Sequence, residues 1–222
     1  MSLGNVQLKK ICWNRPSNAA SQHSRQITRL YCQPPTPHVD RPMSSTIVRR
    51  LLSTDQRRLA AHFQRLDRHS LHARFGAGIS PYRASLYADS VFTAEALVYG
   101  AFPDGCLRAV AELRPLPNAW PKRAEAAFSV EPRWQGRGIG DRLMHRVLTV
   151  AQNRGIRELH LLCLPGNLRM QNLAQKHRAR LHRLPGQVEA HLTRPFPTPF
   201  SITQEMAGEY RALADAMFQW RR

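Results

Sequence analysis

Three closely spaced glycines, in Gly136-Arg137-Gly138-Ile139-Gly140, constrain this chain more than any other feature. They follow a β-rich stretch ending Ala126-Ala127-Phe128-Ser129-Val130 and precede a segment whose apolar residues recur at Ile139, Leu143, Val147, Leu148 and Ala151. Period two on one side and period 3.6 on the other define a strand, a tight turn and a helix. Glycines let successive N–H groups point one way with no Cβ in the path, and the helix N-terminus adds partial positive charge. The result is a nest suited to a pyrophosphate. A dinucleotide loop of the form GxGxxG would need glycine where Asp141 or Leu143 stands, and no GxxxxGK[ST] loop occurs. What remains is Gln135-x-x-Gly138-x-Gly140.

Around this loop the pattern is dense. Thr46–Leu52 reads as a strand, and Ser53-Thr54-Asp55-Gln56 reads as a capping box opening an amphipathic helix to about Asp67. Helical pieces follow near Ser70–Phe75 and Pro81–Asp89. Strands are predicted at Ala94–Phe102, Cys106–Leu113 and Arg123–Glu131, the first two joined by an Asp104-Gly105 turn. Then come a helix over Gly138–Asn153, a strand over Glu158–Leu164, a helix over Asn167–His177, and a hairpin of Ala179–Leu184 with Val188–Thr193. This order is an α/β three-layer unit with a mixed, mostly antiparallel sheet flanked by helices. Residues 44–194 make that domain. Residues 195–222 add the Pro-rich segment Pro195-Phe196-Pro197-Thr198-Pro199 and a C-terminal helix near Thr203–Trp220.

Residues 1–43 lack the apolar periodicity that offsets ordering entropy, and their first acid is Asp40. They are expected to be a disordered basic tail, or the product of a start placed too early, since Met43 lies just before the ordered pattern. Their acid-poor composition also superficially fits an organellar transit peptide, the alternative to a cytoplasmic, bacterial setting. No apolar run approaches the ~18 residues of a membrane span. The four cysteines have no CxxC spacing, so reduced thiols are expected. The ten histidines show no HExxH, and no metal is expected.

Charge is lopsided, with 33 Lys+Arg against 15 Asp+Glu and a net of +18. The bases are scattered, and only Lys9, Lys10, Lys122 and Lys176 are lysines. So skewed a ratio can come from a GC-rich coding sequence alone; a surface chosen for its charge to bind an anionic partner is the alternative. No aromatic cluster interleaves the arginines, so specific nucleic-acid binding is disfavoured.

Q-x-x-G-x-G between a strand and a helix resembles the pyrophosphate loop of the GNAT N-acetyltransferase superfamily. Phe128-Ser129-Val130 before the loop, Leu159–Leu164 after the helix, and Asn167 opening the next helix extend the likeness over about residues 46–194. The resemblance implies acetyl-CoA as acyl donor, bound by Phe128, Ser129, Val130, Gln135, Gly136, Arg137, Gly138, Ile139, Gly140 and Asn167. It further implies transfer of the acetyl group to an amine, a protein lysine or a small molecule. Arg123-Ala124-Glu125-Ala126-Ala127 and Asn167-x-x-Met170-x-x-Leu173-Ala174 resemble the branch with bacterial protein-lysine acetyltransferases, in which Glu125 falls on the general base. Glu112 on the adjacent strand is the next candidate. Two positions depart from the family: Ala174 stands where many members carry an acidic tyrosine, and Arg178 where glycine is usual. Cys163 and His160 are the candidate substitutes for the acid. A non-catalytic acyl-CoA-binding protein on the same fold is the alternative reading.

Overall fold

Alternating apolar residues lay down a single sheet, which sorts two cores onto its two faces. The structure, a computed structural model, describes residues 46–76, 78–92 and 96–219. Among these residues are seven strands: β1 Ile47–Arg50, β2 Leu97–Phe102, β3 Ala109–Pro115, β4 Arg123–Val130, β5 Glu158–Cys163, β6 Arg180–Leu184 and β7 Gln187–Thr193. Six helices flank them: α1 Gln56–Gln64, α2 Arg68–Phe75, α3 Pro81–Val91, α4 Ile139–Asn153, α5 Leu168–Lys176 and α6 Pro199–Gln219. The sheet order is β1-β2-β3-β4-β5-β7-β6. Every neighbouring pair is antiparallel except β4 with β5, which is parallel. The three-layer mixed fold expected from the order of elements is the one observed.

One face carries Tyr99, Ala111, Leu113, Ala124, Leu159 and Leu161, covered by the apolar stripe Ile139, Leu143, Met144 and Val147 of α4 and by Ala174 of α5. Each fully buried Leu there contributes about 1.5–3 kcal/mol relative to exposure. The other face carries Val98 and Val110 under Leu59, Phe63, Leu71 and Ala88 of α1, α2 and α3. Gly100 marks a tight approach within this core. A Cβ there would lie 2.5 Å from Leu107 Cδ1 and 2.7 Å from Leu51 Cδ2, so no larger residue fits without repacking.

The expected capping box at Ser53 is not formed. Ser53–Asp55 is a 3-10 turn, and Asp55, not Ser53, organises the entry to α1. Its buried carboxylate accepts from Arg49 at 2.7 and 2.8 Å, from Arg58 at 2.7 Å and from the Leu52 N–H at 3.2 Å. Burial pushes its pKa up, but these donors outweigh that and bring it down to about 2. Helix α2 starts two residues earlier than expected because Asp67 caps it, accepting from the Ser70 N–H at 2.8 Å.

Helix α6 lies against α4. Asn153 donates to the Ser201 carbonyl at 2.9 Å and to Glu205 at 2.7 Å, and Arg154 pairs with Glu205 at 3.0 Å. The Pro-rich segment is held as well, with Arg157 over the Phe196 ring at 4.0 Å. Cys163 is free and buried. Among the described residues, no helix is long and apolar enough to cross a membrane.

Candidate active site

The parallel pair β4–β5 lasts only three residue pairs, from Arg123–Glu158 to Glu125–His160. Beyond them β4 continues to Val130 and β5 to Cys163 without facing each other in a ladder. Each strand keeps its other neighbour, so the parting exposes one edge of peptide groups on each side. The gap is a cleft lined by Ala126, Ala127 and Phe128 of β4 and by Leu161 and Leu162 of β5. Asn167 and Met170 of α5 close one side, and Ala73 and Arg74 of α2 the other.

The glycine turn lies just beyond the β4 end of this cleft. Gly136 and Gly138 have φ of +74° and +76°, a left-handed conformation costly for any residue with a Cβ. A Cβ on either would meet no atom within 4 Å, so packing does not require these glycines. Backbone conformation and an open approach do, which fits a cradle for phosphates. Gly138 is the N-cap of α4 and supplies no side-chain cap, so first-turn N–H groups remain available to an anion. Asp141 in that first turn would repel phosphate, but Lys176 at 2.9 Å and His177 at 2.8 Å offset its charge.

The other expected donor-binding residues divide by role. Arg137 is exposed, its guanidinium 5.2 Å above the Trp134 ring. Gln135 latches the turn: its amide donates to the Val130 carbonyl at 3.0 Å and to Ser70 Oγ at 3.2 Å, and accepts from Arg169. Ile139 is buried beneath the loop, and Gly140 lets α4 approach Leu173 of α5. Asn167 caps α5 by accepting from the Met170 N–H at 3.2 Å and lines the cleft. Phe128 lines it too. Ser129 turns its hydroxyl away, bonded to His62 Nε2 at 2.9 Å, so only its backbone faces the strand edge.

Glu125 stands at the last pair before the strands part, with Arg114 and His160 as its cross-strand neighbours. It is half-buried and makes no hydrogen bond or ion pair among the described residues. Its face of the sheet also holds Ala127, Glu112 and Leu162. Glu112 is placed differently. It is 1% exposed and pinned by Arg74 at 2.5 Å, Tyr87 at 2.8 Å and Arg114 at 3.3 Å. Burial alone would raise its carboxyl, but the guanidiniums and the tyrosine hydroxyl hold it low. A carboxylate so held is a weak base and is closed to an incoming amine.

Sequence reasoning missed a buried network beside the site. His62 bridges Ser129 and Glu131, its Nδ1 3.2 Å from Glu131, which also takes Arg65 at 2.8 Å and Arg108 at 3.0 Å. The order serine, histidine, acid is that of a hydrolytic triad. Yet His62 is fully enclosed, so the serine is locked in the interface of α1 with β4. Burial lowers the His62 pKa; burial also pushes Glu131 up, but the hydrogen bond and charge of His62, and after them Arg65 and Arg108, outweigh that and hold its carboxyl low.

For a proton donor to the leaving group, Ala174 is fully buried in the core and offers none. Arg178 has φ of +67°, the conformation the family's usual glycine would take. Cys163 points into the core, and burial pushes its thiol up to about 11. His160 is on the Glu125 side.

The acetyltransferase (GNAT) family model matches residues 63–178, and the chain belongs to that family. The GNAT domain of S. lividans PAT is 24% identical with a TM-score of 0.60, covering 66% of this chain and 89% of that one. The yncA structure from Salmonella typhimurium, which holds its cofactor acetyl-CoA, is 14% identical with a TM-score of 0.56, covering 69% and 96%. A ribosomal-protein-alanine N-acetyltransferase from Brucella melitensis is 14% identical with a TM-score of 0.52, covering 66% and 99%. At these identities the solved structures speak for the fold. No curated protein sequence matches the chain.

Proposed function

We propose that the protein moves an acetyl group from acetyl-CoA to a primary amine by direct attack. The observation that carries this is the parting of β4 and β5 immediately after Glu125, with the glycine cradle at its far end. The donor's pyrophosphate would rest on the N–H groups around Gly136 to Gly140, and its amide-bearing arm along the exposed edge of Ala126–Phe128. The thioester carbonyl then comes to lie beside the pair Glu125–His160. There the amine nitrogen attacks the carbonyl carbon, the C–S bond breaks, and the amine's proton passes to Glu125 directly or through a water. Holding thioester and amine together accounts for much of such an acceleration. The CoA thiolate is a tolerable leaving group near neutral pH, and water can protonate it. No step is routed through a metal.

The acceptor is a protein lysine or a small-molecule amine, and a net charge of +18 disfavours a polycation. The action belongs in the cytoplasm, where acetyl-CoA is supplied. A second reading, an acyl-CoA-binding regulatory protein without turnover, is favoured by one observation: Ala174 is fully buried where an acid is usual. Release of free thiol from acetyl-CoA across a panel of lysine peptides and small amines separates the two. Amine-dependent turnover supports the enzyme. Tight acetyl-CoA binding with no thiol release from any amine supports the regulator.

A further inference from the structure

Among the described residues, α1, α2 and α3 cover the sheet face shared with Glu125 over β1 to β4. Further along, β5, β7 and β6 carry an uncommon set of side chains on that same face. His160 of β5 is the cross-strand partner of His191 of β7, and Leu162 is that of Glu189. His182 of β6 stands opposite Glu189. Period two therefore brings three histidines and a carboxylate to one side of three adjacent strands.

Their geometry is convergent. Glu189 reaches both rings, with Oε1 3.1 Å from His160 Nδ1 and Oε2 3.1 Å from His191 Nε2. The rings of His160 and His191 are 4.3 Å apart, and that of His182 lies 4.8 Å from His191. One ligand atom from each of His160, Glu189 and His191 lies within 4.8 Å of the others. A second observation is independent of that spacing. The Nε2 atoms of His160 and His191 are both shielded from solvent and lack a hydrogen-bond partner among the described residues. Each has a carboxylate within ion-pair distance but outside hydrogen-bond geometry, Glu189 for His191 and Glu158, at 3.7 Å, for His160. Buried polar atoms are seldom left in that state without an occupant.

We propose that His160, Glu189 and His191 bind a divalent transition-metal ion of the Zn²⁺ type on the open face of β5 and β7. Two imidazoles and a carboxylate suit Zn²⁺ and leave further positions to water or an exogenous ligand. Zn–N bonds of ~2.0–2.1 Å place tetrahedral ligand atoms roughly 3.3 Å apart, so the present spacing closes with small side-chain rotations. Arg180, the cross-strand partner of His191, is the nearby cation on β6, and it is exposed and able to turn to solvent. The expectation of no metal rested on motif spacing along one helix. These ligands come instead from two strands that meet only in the sheet.

The test is calorimetric titration of the untagged, chelator-stripped full chain with Zn²⁺, paired with Co²⁺ absorption spectra. One Zn²⁺ per chain is expected at roughly micromolar Kd, with visible Co²⁺ bands of a low-coordinate nitrogen and oxygen site. Changes around metal ligands already cost ~10–100-fold in affinity, so His191→Ala and Glu189→Gln should each weaken Zn²⁺ by at least tenfold. His69→Ala, on exposed α2 surface, should change it less than twofold. Both ligand variants alter partly exposed side chains, and each is compared at an unchanged melting temperature; if one fails to fold, the other decides. The proposal is overturned if the parent binds no tighter than ~1 mM, or if a folded ligand variant binds as the parent does. None of these readouts depends on acetyl transfer.

Discussion

Glutamine introduced at Glu125 and, separately, at Glu112 should give opposite signatures. Glu125 has no partner among the described residues, so Glu125→Gln removes no contact, and stability should stay within about 0.5 kcal/mol. An acceptor amine of pKa near ~10.4 is unprotonated in only about one molecule in 10³ near pH 7.5, and the base supplies that missing fraction. The expected loss in kcat/KM is therefore ~10²–10⁴, or roughly 3–5 kcal/mol of transition-state stabilisation, with partial recovery as pH rises. Glu112→Gln is different. It strips the charge facing Arg74 at 2.5 Å inside a site 1% exposed. Breaking a buried pair costs about 3–5 kcal/mol, which for a chain of this size lowers Tm by roughly 6–20 °C. Thermal melts and a thiol-release assay from pH 6 to 9 measure both arms. A Glu125→Gln protein within threefold of the parent across that range would refute the assignment of the base, and an unshifted melt for Glu112→Gln would refute the lock.

Three further outcomes follow from the same geometry. Gly138→Ala should cost ~1–2 kcal/mol in stability through its φ of +76° alone, while Gly138→Asp should also weaken acetyl-CoA by at least ~2 kcal/mol, read by calorimetry; unchanged affinity in a folded Gly138→Asp protein removes the phosphate cradle. Acid should destabilise in two stages. Below pH 6.5 the unfolded chain protonates His62 more readily than the folded chain, whose value is lowered, so stability falls as pH falls. A second loss runs from Asp55's ordinary 3.8 down toward 2, with Glu112 and Glu131 acting in the same sense; equal urea midpoints at pH 7.5, 5.5 and 3.5 would contradict both stages. Duplex DNA at physiological salt should bind no tighter than the ~10⁻⁴–10⁻⁶ M of non-specific association, and a nanomolar, sequence-selective Kd would contradict the reading of the arginines as dispersed surface charge.

What the sequence discloses here is what is local. The turn at Gly136–Gly140 could be read because strand, glycines and helix are contiguous, and each signals its own backbone state. The order of the elements followed from periodicity. The Asp55 knot was misread as a serine cap, because its partners Arg49 and Arg58 arrive from a strand and a helix on either side. The restraint on Glu112 comes from Arg74, 38 positions earlier, and the His62–Glu131 contact spans 69. Strand alternation places Ser129 on the Glu125 face, but no local pattern shows that α1 covers that end of the face and commits the serine to His62.

Among the described residues, three residue pairs, Arg123 to Glu125 against Glu158 to His160, make up the whole ladder between the two halves of the seven-stranded sheet. A chain built this way carries a seam. On the proposed function, an acyl donor whose arm bears amides would be stitched along it, taking the place of the stretch of strand that neither half supplies. The donor would then be part of the fold while bound, and its departure would reopen the seam. Backbone amides along the exposed edge at Ala126–Phe128 should therefore exchange with solvent quickly in the free protein and slowly in the complex. Each turnover would be written into the protein as a cycle of mending and unpicking.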